Sequence, residues 1–266
     1  MKPRFAFVVP LRNPATTNDW SSVVKLSIET LHSLSRRGTT PAEIVLACRD
    51  FPDVQTDSNV TVIRHPFPDP KTNADLRRDK YAKIKMALIE LRRRKSPFYV
   101  MKFDADDLVS ERLAPWILEN ANERGYLIDS GYYMNMKSGR LVSVQTNFHL
   151  RCGSSNILFA EPRDLPSSMD DKGSFDLMRL GHHIVAKTFE SRGAPLDPVP
   201  FPACIYRTGH GDNISTSRPI IRPAQNEQSN RKFNFGRTLR QASARIRHLL
   251  EPTVDEKIRA EFCLPR

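Results

Sequence analysis

The chain has 266 residues, of which 39% are hydrophobic and 27% are charged, and this composition excludes an intrinsically disordered protein. The formal net charge is +11, which suits contact with nucleic acid, anionic lipid or phosphorylated substrates and does not choose among them. No apolar stretch approaches the ~20 residues needed to cross a bilayer, and the four cysteines show no metal-ligand or redox spacing, so we expect a cytoplasmic protein with reduced, buried thiols.

Strand-like and helix-like segments alternate over the first half of the chain. Short apolar runs predict four strands, at Phe5 to Pro10, Glu43 to Cys48, Val60 to Arg64 and Phe98 to Phe103. Apolar residues at three-to-four spacing predict three helices: from Trp20, capped by Asn18 or Asp19, to Gly38; from the loop Pro66 to Asn73 as far as Arg92 to Lys95; and from Arg112 to Arg124. This order implies an α/β fold with a mostly parallel, Rossmann-like sheet and helices on both faces.

Shorter pieces fill the second half. Strands are predicted at Tyr126 to Met136, Leu141 to Leu150 and Ser155 to Ala160, with a turn at Ser138-Gly139. The Pro-rich Ala194 to Ala203 leads to Ile205-Tyr206-Arg207. Helices are predicted at Gly173 to Arg192, ended by Gly193, and at Phe235 to Leu250, where arginines surround an apolar stripe. We therefore divide the chain into an α/β domain, residues 1–217, and a basic linker with a helical tail, residues 218–266.

Three carboxylates follow the fourth predicted strand, in the sequence Phe103-Asp104-Ala105-Asp106-Asp107-Leu108. In an open α/β sheet the ligand crevice lies outside the carboxyl ends of the strands. Two carboxylates there, two residues apart, can bind Mg²⁺ or Mn²⁺ while phosphates of a substrate take other positions on the ion. A polar turn that caps the next helix would have a similar composition, so the surrounding sequence has to decide.

Basic residues near the start of the second predicted helix indicate an anionic partner. They are Arg77, Arg78, Lys80, Lys83 and Lys85. Cations at this end oppose the helix dipole, whereas basic residues in the last turn suit it and mean little. An anion bound near the start of the helix explains the first group better than helix stability does.

Further patterns accompany the three carboxylates. The first strand ends in Pro10-Leu11-Arg12-Asn13, the second ends in Arg49-Asp50, and Gly153-Ser-Ser-Asn-Ile-Leu158 and Tyr206-Arg-Thr-Gly-His210 lie downstream. In this order they resemble the family-2-like glycosyltransferases of the GT-A fold, with the last two matching the small-residue strand beneath the acceptor and the closing Tyr-Arg-x-His motif. The resemblance covers residues 4–217 at the level of element order, through motifs that are specific only in combination.

The resemblance implies a role for the residue at each matching position. The base, ribose and phosphates of a nucleotide would be bound by Pro10, Arg12, Asp50, Arg78, Lys80, Lys83 and Asp104. The metal, Mn²⁺ or Mg²⁺, would be bound by Asp104, Asp106 and His210, since neutral imidazole accepts Mn²⁺. The donor would be a nucleoside-diphosphate sugar, with uridine diphosphate favoured as the carrier.

The general base departs from the family pattern. Family members usually place Glu-Asp about ten residues before a helix-ending glycine, where this chain has His182-His183. A histidine near its ordinary pKa of ~6.5 can deprotonate an acceptor hydroxyl. The base is therefore expected to be His183 or His182. Asp170, Asp171 and Asp176 lie in the same stretch and could serve instead, with Asp171 preferred.

The resemblance implies an inverting, hexosyltransferase-like enzyme whose acceptor is a hydroxyl of a glycan or of a lipid-linked molecule. The basic tail helix would dock on an anionic membrane, making the protein peripheral on the inner face, or would pack on the domain. A sugar-nucleotide nucleotidyltransferase is the nearest alternative, although the loop after the first strand lacks its glycine-rich signature. A nucleic-acid-binding protein is the alternative from another class; no known motif supports it, and we expect no nucleic-acid partner.

Overall fold

The structure is a computed structural model that describes residues 1–35, 42–53, 56–64, 68–172, 178, 180–210 and 255–264. Its strands in these ranges are β1 (Arg4–Pro10), β2 (Glu43–Cys48), β3 (Val60–Arg64), β4 (Phe98–Lys102), β5 (Leu108–Val109), β6 (Gly125–Leu127), β7 (Gly131–Asn135), β8 (Arg140–Val144), β9 (Asn156–Ala160), β10 (Asp197–Pro198) and β11 (Cys204–Thr208). The α-helices are α1 (Trp20–Ser35), α2 (Asn73–Arg93), α3 (Leu113–Glu119), α4 (His182–Ser191) and α5 (Glu256–Phe262).

Two sheets organise the described chain. The larger sheet has the strand order β10-β6-β9-β4-β1-β2-β3, and the smaller has the order β5-β11-β7-β8. In the larger sheet β9 pairs antiparallel with both β4 and β6, whereas the other pairs are parallel. The predicted mixed α/β fold with a mostly parallel sheet is thereby confirmed.

Helices cover both faces of the larger sheet because side chains alternate along its strands. In β1, Phe5, Phe7 and Val9 belong to the apolar core that includes residues of α1 and α3. The intervening Ala6 and Val8 belong to a second core, which includes residues of α2 and α4. Both sets of side chains are almost completely buried, as the continuous apolar run in the sequence predicts.

Several predicted boundaries agree with the structure. The bounds of β2 and β3 are those that the sequence predicts, and β1 begins one residue earlier than predicted. Asp19 caps α1, since its carboxylate accepts a hydrogen bond from the amide of Ser22 at 3.0 Å. The predicted end of this helix at Gly38 lies outside the described residues.

Other predictions of elements were wrong. The predicted helix from Arg112 to Arg124 ends at Glu119, because the side chain of Asn122 accepts hydrogen bonds from the amides of Arg124 and Gly125 and so stabilises a turn. The strand predicted from Tyr126 to Met136 divides into β6 and β7, which belong to different sheets. Asp129 lies between these two strands, and its carbonyl accepts a hydrogen bond from the amide of Phe148 at 3.0 Å. This contact stabilises the segment in which the chain leaves the larger sheet and enters the smaller one.

Two more elements are shorter than predicted. The strand predicted from Leu141 to Leu150 ends at Val144, and Phe148–Leu150 forms a 3₁₀ turn after Asn147, whose φ is +60°. Among the described residues of the helix predicted from Gly173, His182–Ser191 is α-helical, and this α-helix begins after Gly181, which takes an extended conformation at the N-cap. Gly193, at φ +68°, follows the helix as predicted.

The carboxyl-terminal segment supplies an element that the sequence did not predict. In α5 and the residue pair after it, Phe262 and Leu264 pack in a core with Leu108, Leu141 and Ile205 of the smaller sheet. The predicted helix from Phe235 to Leu250 lies outside the described residues, so the two-part division of the chain stays a prediction. Among the residues that are described, no helix is long and apolar enough to cross a membrane.

Candidate active site

The carboxyl ends of β1 and β4 open on the same edge of the larger sheet, because the two strands are adjacent and parallel. The amide of Phe103 donates to the carbonyl of Val8 at 2.9 Å, which carries the pairing one residue beyond β4. The acid cluster, which we define as Asp104, Asp106 and Asp107, therefore begins beside the exit of β1. Ligand crevices of open α/β sheets lie at this edge.

Asp104 is paired with a cation of α2. Its Oδ1 lies 2.7 Å from Nζ of Lys80, and both side chains are partly exposed. Burial by itself would raise the pKa of Asp104, but Lys80, and after it Lys102 and His182, hold that pKa below its ordinary value. Asp104 is therefore a carboxylate at neutral pH, with positive charge close by that could also face an anionic ligand.

Asp106 faces a histidine from the far end of the domain. Nε2 of His210 lies 2.9 Å from Oδ2 of Asp106, and the histidine side chain is 9% exposed. The two atoms lack hydrogen-bond alignment, so Nε2 is a buried nitrogen that makes no hydrogen bond to the described residues. Ligands of an octahedral ion at about 2.1 Å lie about 3.0 Å apart when they are adjacent, so this pair has the spacing of two metal ligands.

Asp107 differs from its neighbours because it is fully buried. Its Oδ2 accepts a hydrogen bond from Ser154 Oγ at 2.7 Å, and its Oδ1 accepts one from the amide of Arg207 at 3.2 Å. Burial, followed by repulsion from Asp106 and Asp104, raises its pKa well above the ordinary value. Asp107 therefore acts as a buried polar contact between three segments of the chain, and it is not placed to meet a ligand in the crevice.

Two cysteines lie beside Asp107 although they are far apart in the sequence. The reactive atoms of Cys152, Cys204 and Asp107 all lie within 4.8 Å of one another, and all three residues are buried. Each of them would have to lose a proton to bind a metal. Burial raises the pKa of both thiols, so they are protonated core residues, as the sequence predicts.

The residues predicted to bind the base and ribose follow the strands of the larger sheet. Pro10 ends β1 and is buried, and Nε of Arg12 donates to Oγ1 of Thr16 at 3.3 Å. Asp50 follows β2 and is exposed. β1 and β2 are adjacent and parallel, so all three residues come at the carboxyl edge of the sheet.

The three basic residues predicted for α2 have different surroundings. Lys80 faces Asp104, as described above, whereas Arg78 is 78% exposed and pairs with Asp75 at 2.9 Å. Lys83 is buried, with Nζ 2.5 Å from Asp79. Lys83 has no surface to offer a phosphate in this structure, so we leave it out of the proposed site.

The three candidates for the general base also differ in their hydrogen bonds and exposure. Nε2 of His182 lies 3.2 Å from the carbonyl of Leu150, and burial, with help from the charge of Lys102, lowers the pKa of this histidine. His183 is exposed, and its ring contacts the position that a Cβ on Gly181 would take. The carboxylate of Asp171 accepts hydrogen bonds at 2.9 Å from the amide and the hydroxyl of Ser167. His182 is thus the candidate that is electrostatically coupled to Asp104.

Three residues that build this site belong to motifs named in the sequence, but the sequence assigned them no contact with the acid cluster. Ser154 accepts a hydrogen bond from the amide of Asp104 at 2.8 Å while donating to Asp107, so one hydroxyl fixes both ends of the acid cluster. Gly153 leaves room for Asp104, because a Cβ there would lie 2.3 Å from its carboxylate. Arg207 is buried against the same loop. The small residues at 153–155 were noticed in the sequence, but nothing in it shows which loop they contact.

No protein-family model and no curated protein matches the chain. Among solved structures it is similar to S. aureus TarS, with 13% identity and a TM-score of 0.39 over 77% of this chain and 37% of that one. It is also similar to S. aureus TarS 1-349 in complex with UDP-GlcNAc, with 12% identity and a TM-score of 0.40 over 81% of this chain and 61% of that one. The chain thus spans about two fifths to three fifths of the length of these structures. A likeness at this level establishes no family, and function has to be inferred from the site.

Proposed function

We propose that this protein is a metal-dependent glycosyltransferase, which moves a sugar from a nucleoside-diphosphate sugar to a hydroxyl of a glycan or of a lipid-linked acceptor. The observation that carries the proposal is the pair formed by Asp106 and His210, whose facing atoms are 2.9 Å apart at the carboxyl edge of the sheet. Beside it lies Asp104, paired with Lys80. An ion between carboxylate and imidazole, next to a cation-lined surface, suits a diphosphate leaving group.

The residues at the site fit Mn²⁺ or Mg²⁺. Oδ2 of Asp106 and Nε2 of His210 would be its protein ligands, whereas Asp104, predicted as a third ligand, does not bring a carboxylate oxygen within 4.8 Å of both. Nε2 of His210 supports this fit, because it makes no hydrogen bond to the described residues and a buried polar atom without a hydrogen bond destabilises the folded state unless a ligand satisfies it. The bound ion would stabilise negative charge on the departing diphosphate.

The donor nucleotide would lie across the exits of β1 and β2. Pro10, Arg12 and Asp50 follow these strands and would border its base and ribose, and uridine is the favoured base. Lys80, with Arg78 on the same helix, would place positive charge near the phosphates. Preorganised charge of this kind acts on the transition state without having to reorient during the reaction.

The acceptor hydroxyl would lose its proton to His182. The lowered pKa of this histidine keeps the imidazole neutral at pH 7, which is the state that a base requires. Its backbone carbonyl accepts a hydrogen bond from the side chain of Asn156 at 3.2 Å, which fixes the start of α4 relative to β9. His183 and Asp171 stay as alternatives for this role. Attack of the acceptor hydroxyl on the sugar from the face opposite the diphosphate would invert the anomeric configuration.

The first experiment combines metal binding and product analysis. Titration calorimetry with Mn²⁺, followed by UDP in the presence of the ion, is expected to show binding to the wild type and to Asp53→Asn, a control at a carboxylate that is 97% exposed. Asp106→Asn and His210→Ala are expected to lose Mn²⁺ binding while melting cooperatively. Turnover is expected to release nucleoside diphosphate.

Two results would contradict the proposal. Release of pyrophosphate from a nucleoside triphosphate supplied with a sugar phosphate would identify a nucleotidyltransferase instead, because that reaction breaks the bond between the α- and β-phosphates of the triphosphate. Unchanged Mn²⁺ affinity in both ligand variants would show that the facing pair is not the metal site.

A further inference from the structure

Arg207 is the largest side chain that is fully buried among the described residues. A guanidinium is a charged group, and withdrawing a charge from water is unfavourable unless partners compensate it. It lies in β11, three residues before His210. A buried arginine at this position therefore needs an explanation beyond the packing of the strand.

One side of the guanidinium is attached to α1. Nη1 lies 2.5 Å from the carboxylate of Glu29, and Nη2 donates to the carbonyl of Leu26 at 3.0 Å and to Oγ1 of Thr30 at 3.1 Å. Glu29 is the charged partner, and its side chain is only 21% exposed. Helix α1 thus presents one full turn of acceptors to a single arginine.

The other side is attached to the acid cluster. Nε donates to the backbone carbonyl of Asp106, and the amide of Arg207 donates to the carboxyl of Asp107 at 3.2 Å. Thr30 reinforces the connection, because its hydroxyl lies 3.0 Å from the carbonyl of Ala105 and 2.9 Å from that of Asp107. Arg207 and Thr30 together fix the main chain of the loop that carries Asp106.

We propose that Arg207 is a positioning residue for the metal site, which holds Asp106 and His210 at the separation that an ion requires. The inference rests on the proposed function, in which Asp106 and His210 are the metal ligands. Arg207 donates a hydrogen bond to the backbone carbonyl of Asp106, and it lies in β11, the strand that leads to His210. Loss of its hydrogen bonds would therefore change the positions of both metal ligands. Arg207 itself touches neither substrate nor ion.

The test compares Arg207→Lys and Glu29→Gln with the wild type by Mn²⁺ calorimetry without any donor. Lysine keeps the charge but cannot make the forked contacts to α1 and Asp106 at once. Glutamine keeps an acceptor for Nη1 and removes the charge. Residues that orient metal ligands typically change metal affinity by about ten-fold or more when they are mutated, and we expect a weakening of about ten-fold in each variant.

Arg92→Lys is the matched control. Nη1 of Arg92 also donates to backbone carbonyls, those of Leu165 and Arg163, so this arginine fixes a different loop in a similar way. Its variant is expected to bind Mn²⁺ like the wild type. Thermal melting of all variants separates positioning from general instability, because a purely structural role would lower the melting temperature and leave metal affinity unchanged in the folded protein.

The outcomes distinguish this inference from the proposed function. Wild-type Mn²⁺ affinity in Arg207→Lys and Glu29→Gln, together with its loss in Asp106→Asn, would overturn the positioning role and leave the metal site standing. Absence of Mn²⁺ binding by the wild type would instead overturn the proposed function. Should Arg207→Lys fail to fold, Glu29→Gln decides: unchanged affinity refutes the inference, and weaker affinity in a normally melting variant supports it.

Discussion

The three carboxylates of the acid cluster have different surroundings, which the sequence alone does not reveal. Asp104 is a charged partner of Lys80, Asp106 faces His210, and Asp107 is buried as a polar contact. Burial thus distinguishes Asp107 from the other two carboxylates, and the partner residue distinguishes Asp104 from Asp106. The loop after β4 turns between these residues, since the amide of Asp107 donates to the carbonyl of Asp104 at 3.1 Å.

Gly153 offers a direct test of the space around Asp104. A methyl group in Gly153→Ala would lie 2.3 Å from the carboxylate, which would have to move away from Lys80. Displacement of a catalytic group by about 1 Å can lower turnover about a hundred-fold, and we expect a loss of about this size with the fold retained. Kinetics and thermal melting measure the two effects, with Ser138→Ala, in an exposed turn, as the control.

Activity below neutral pH is expected to report the protonation of His182. Burial and Lys102 lower the pKa of this histidine, so the unprotonated base should persist below pH 6.5 and the acid limb of kcat/KM should lie under that value. Lys102→Met removes a positive neighbour and is expected to shift the limb to higher pH. His182→Gln should abolish the limb and lower the rate by about a hundred-fold or more. A limb that persists in His182→Gln would assign the base to another residue.

At the scale of elements, the smaller sheet depends on a helix from the carboxyl-terminal part of the chain. Phe262 of α5 is 1% exposed and packs edge-on against Tyr132, with their ring centroids 5.7 Å apart. Ser110 donates a hydrogen bond to the carboxylate of Glu261, which joins α5 to the segment that follows β5. β5 in turn pairs with β11, the strand that leads to His210.

Phe262→Ala is expected to reduce the free energy of unfolding by about 3 kcal/mol, which is typical of deleting a buried phenylalanine side chain. Urea denaturation followed by tryptophan fluorescence measures the change. Lys257→Ala, at an exposed position of the same helix, is the control and should unfold like the wild type. Equal stability of the two variants would mean that α5 contributes little to the smaller sheet.

Elements were predictable where their cause is local, and the site was predictable only in part. The apolar runs of β2 and β3 specify buried strands by themselves, so their bounds could be predicted from the sequence. The division at Asp129 could not, because it depends on a hydrogen bond with Phe148. Asp104 and Asp106 follow a strand that can be recognised in the sequence. The role of Arg207 could not be predicted, because it depends on contacts with α1 and with the acid cluster, which are distant from it in the sequence.

At the scale of the whole molecule, the predicted basic tail helix falls outside the described residues. Docking of that helix on an anionic membrane stays a prediction. A truncation would test it poorly, because it would also remove α5 and expose the core that Phe262 and Leu264 complete. Charge substitutions within the full chain avoid this problem.

We expect full-length protein to float with anionic liposomes and to lose this binding when Arg237, Arg240, Arg245 and Arg247 are replaced by glutamine. Each basic residue near an anionic membrane contributes about 1 kcal/mol, so four changes should abolish detectable flotation. Four exposed basic residues of the domain, Lys137, Arg163, Lys187 and Arg192, provide a control with the same loss of charge. Equal flotation of both variants would exclude docking through the tail helix.

The reversed direction of β9 restricts where the chain can lengthen during evolution. Ile157 and Leu158 contribute to opposite cores, so sliding this strand by one position would exchange the two faces of a central strand. Its beginning also adjoins Asp104, where Gly153 has no spare volume. Related sequences should therefore keep the number of residues between Phe148 and Asn156 constant and accumulate insertions at the open turn around Gly139.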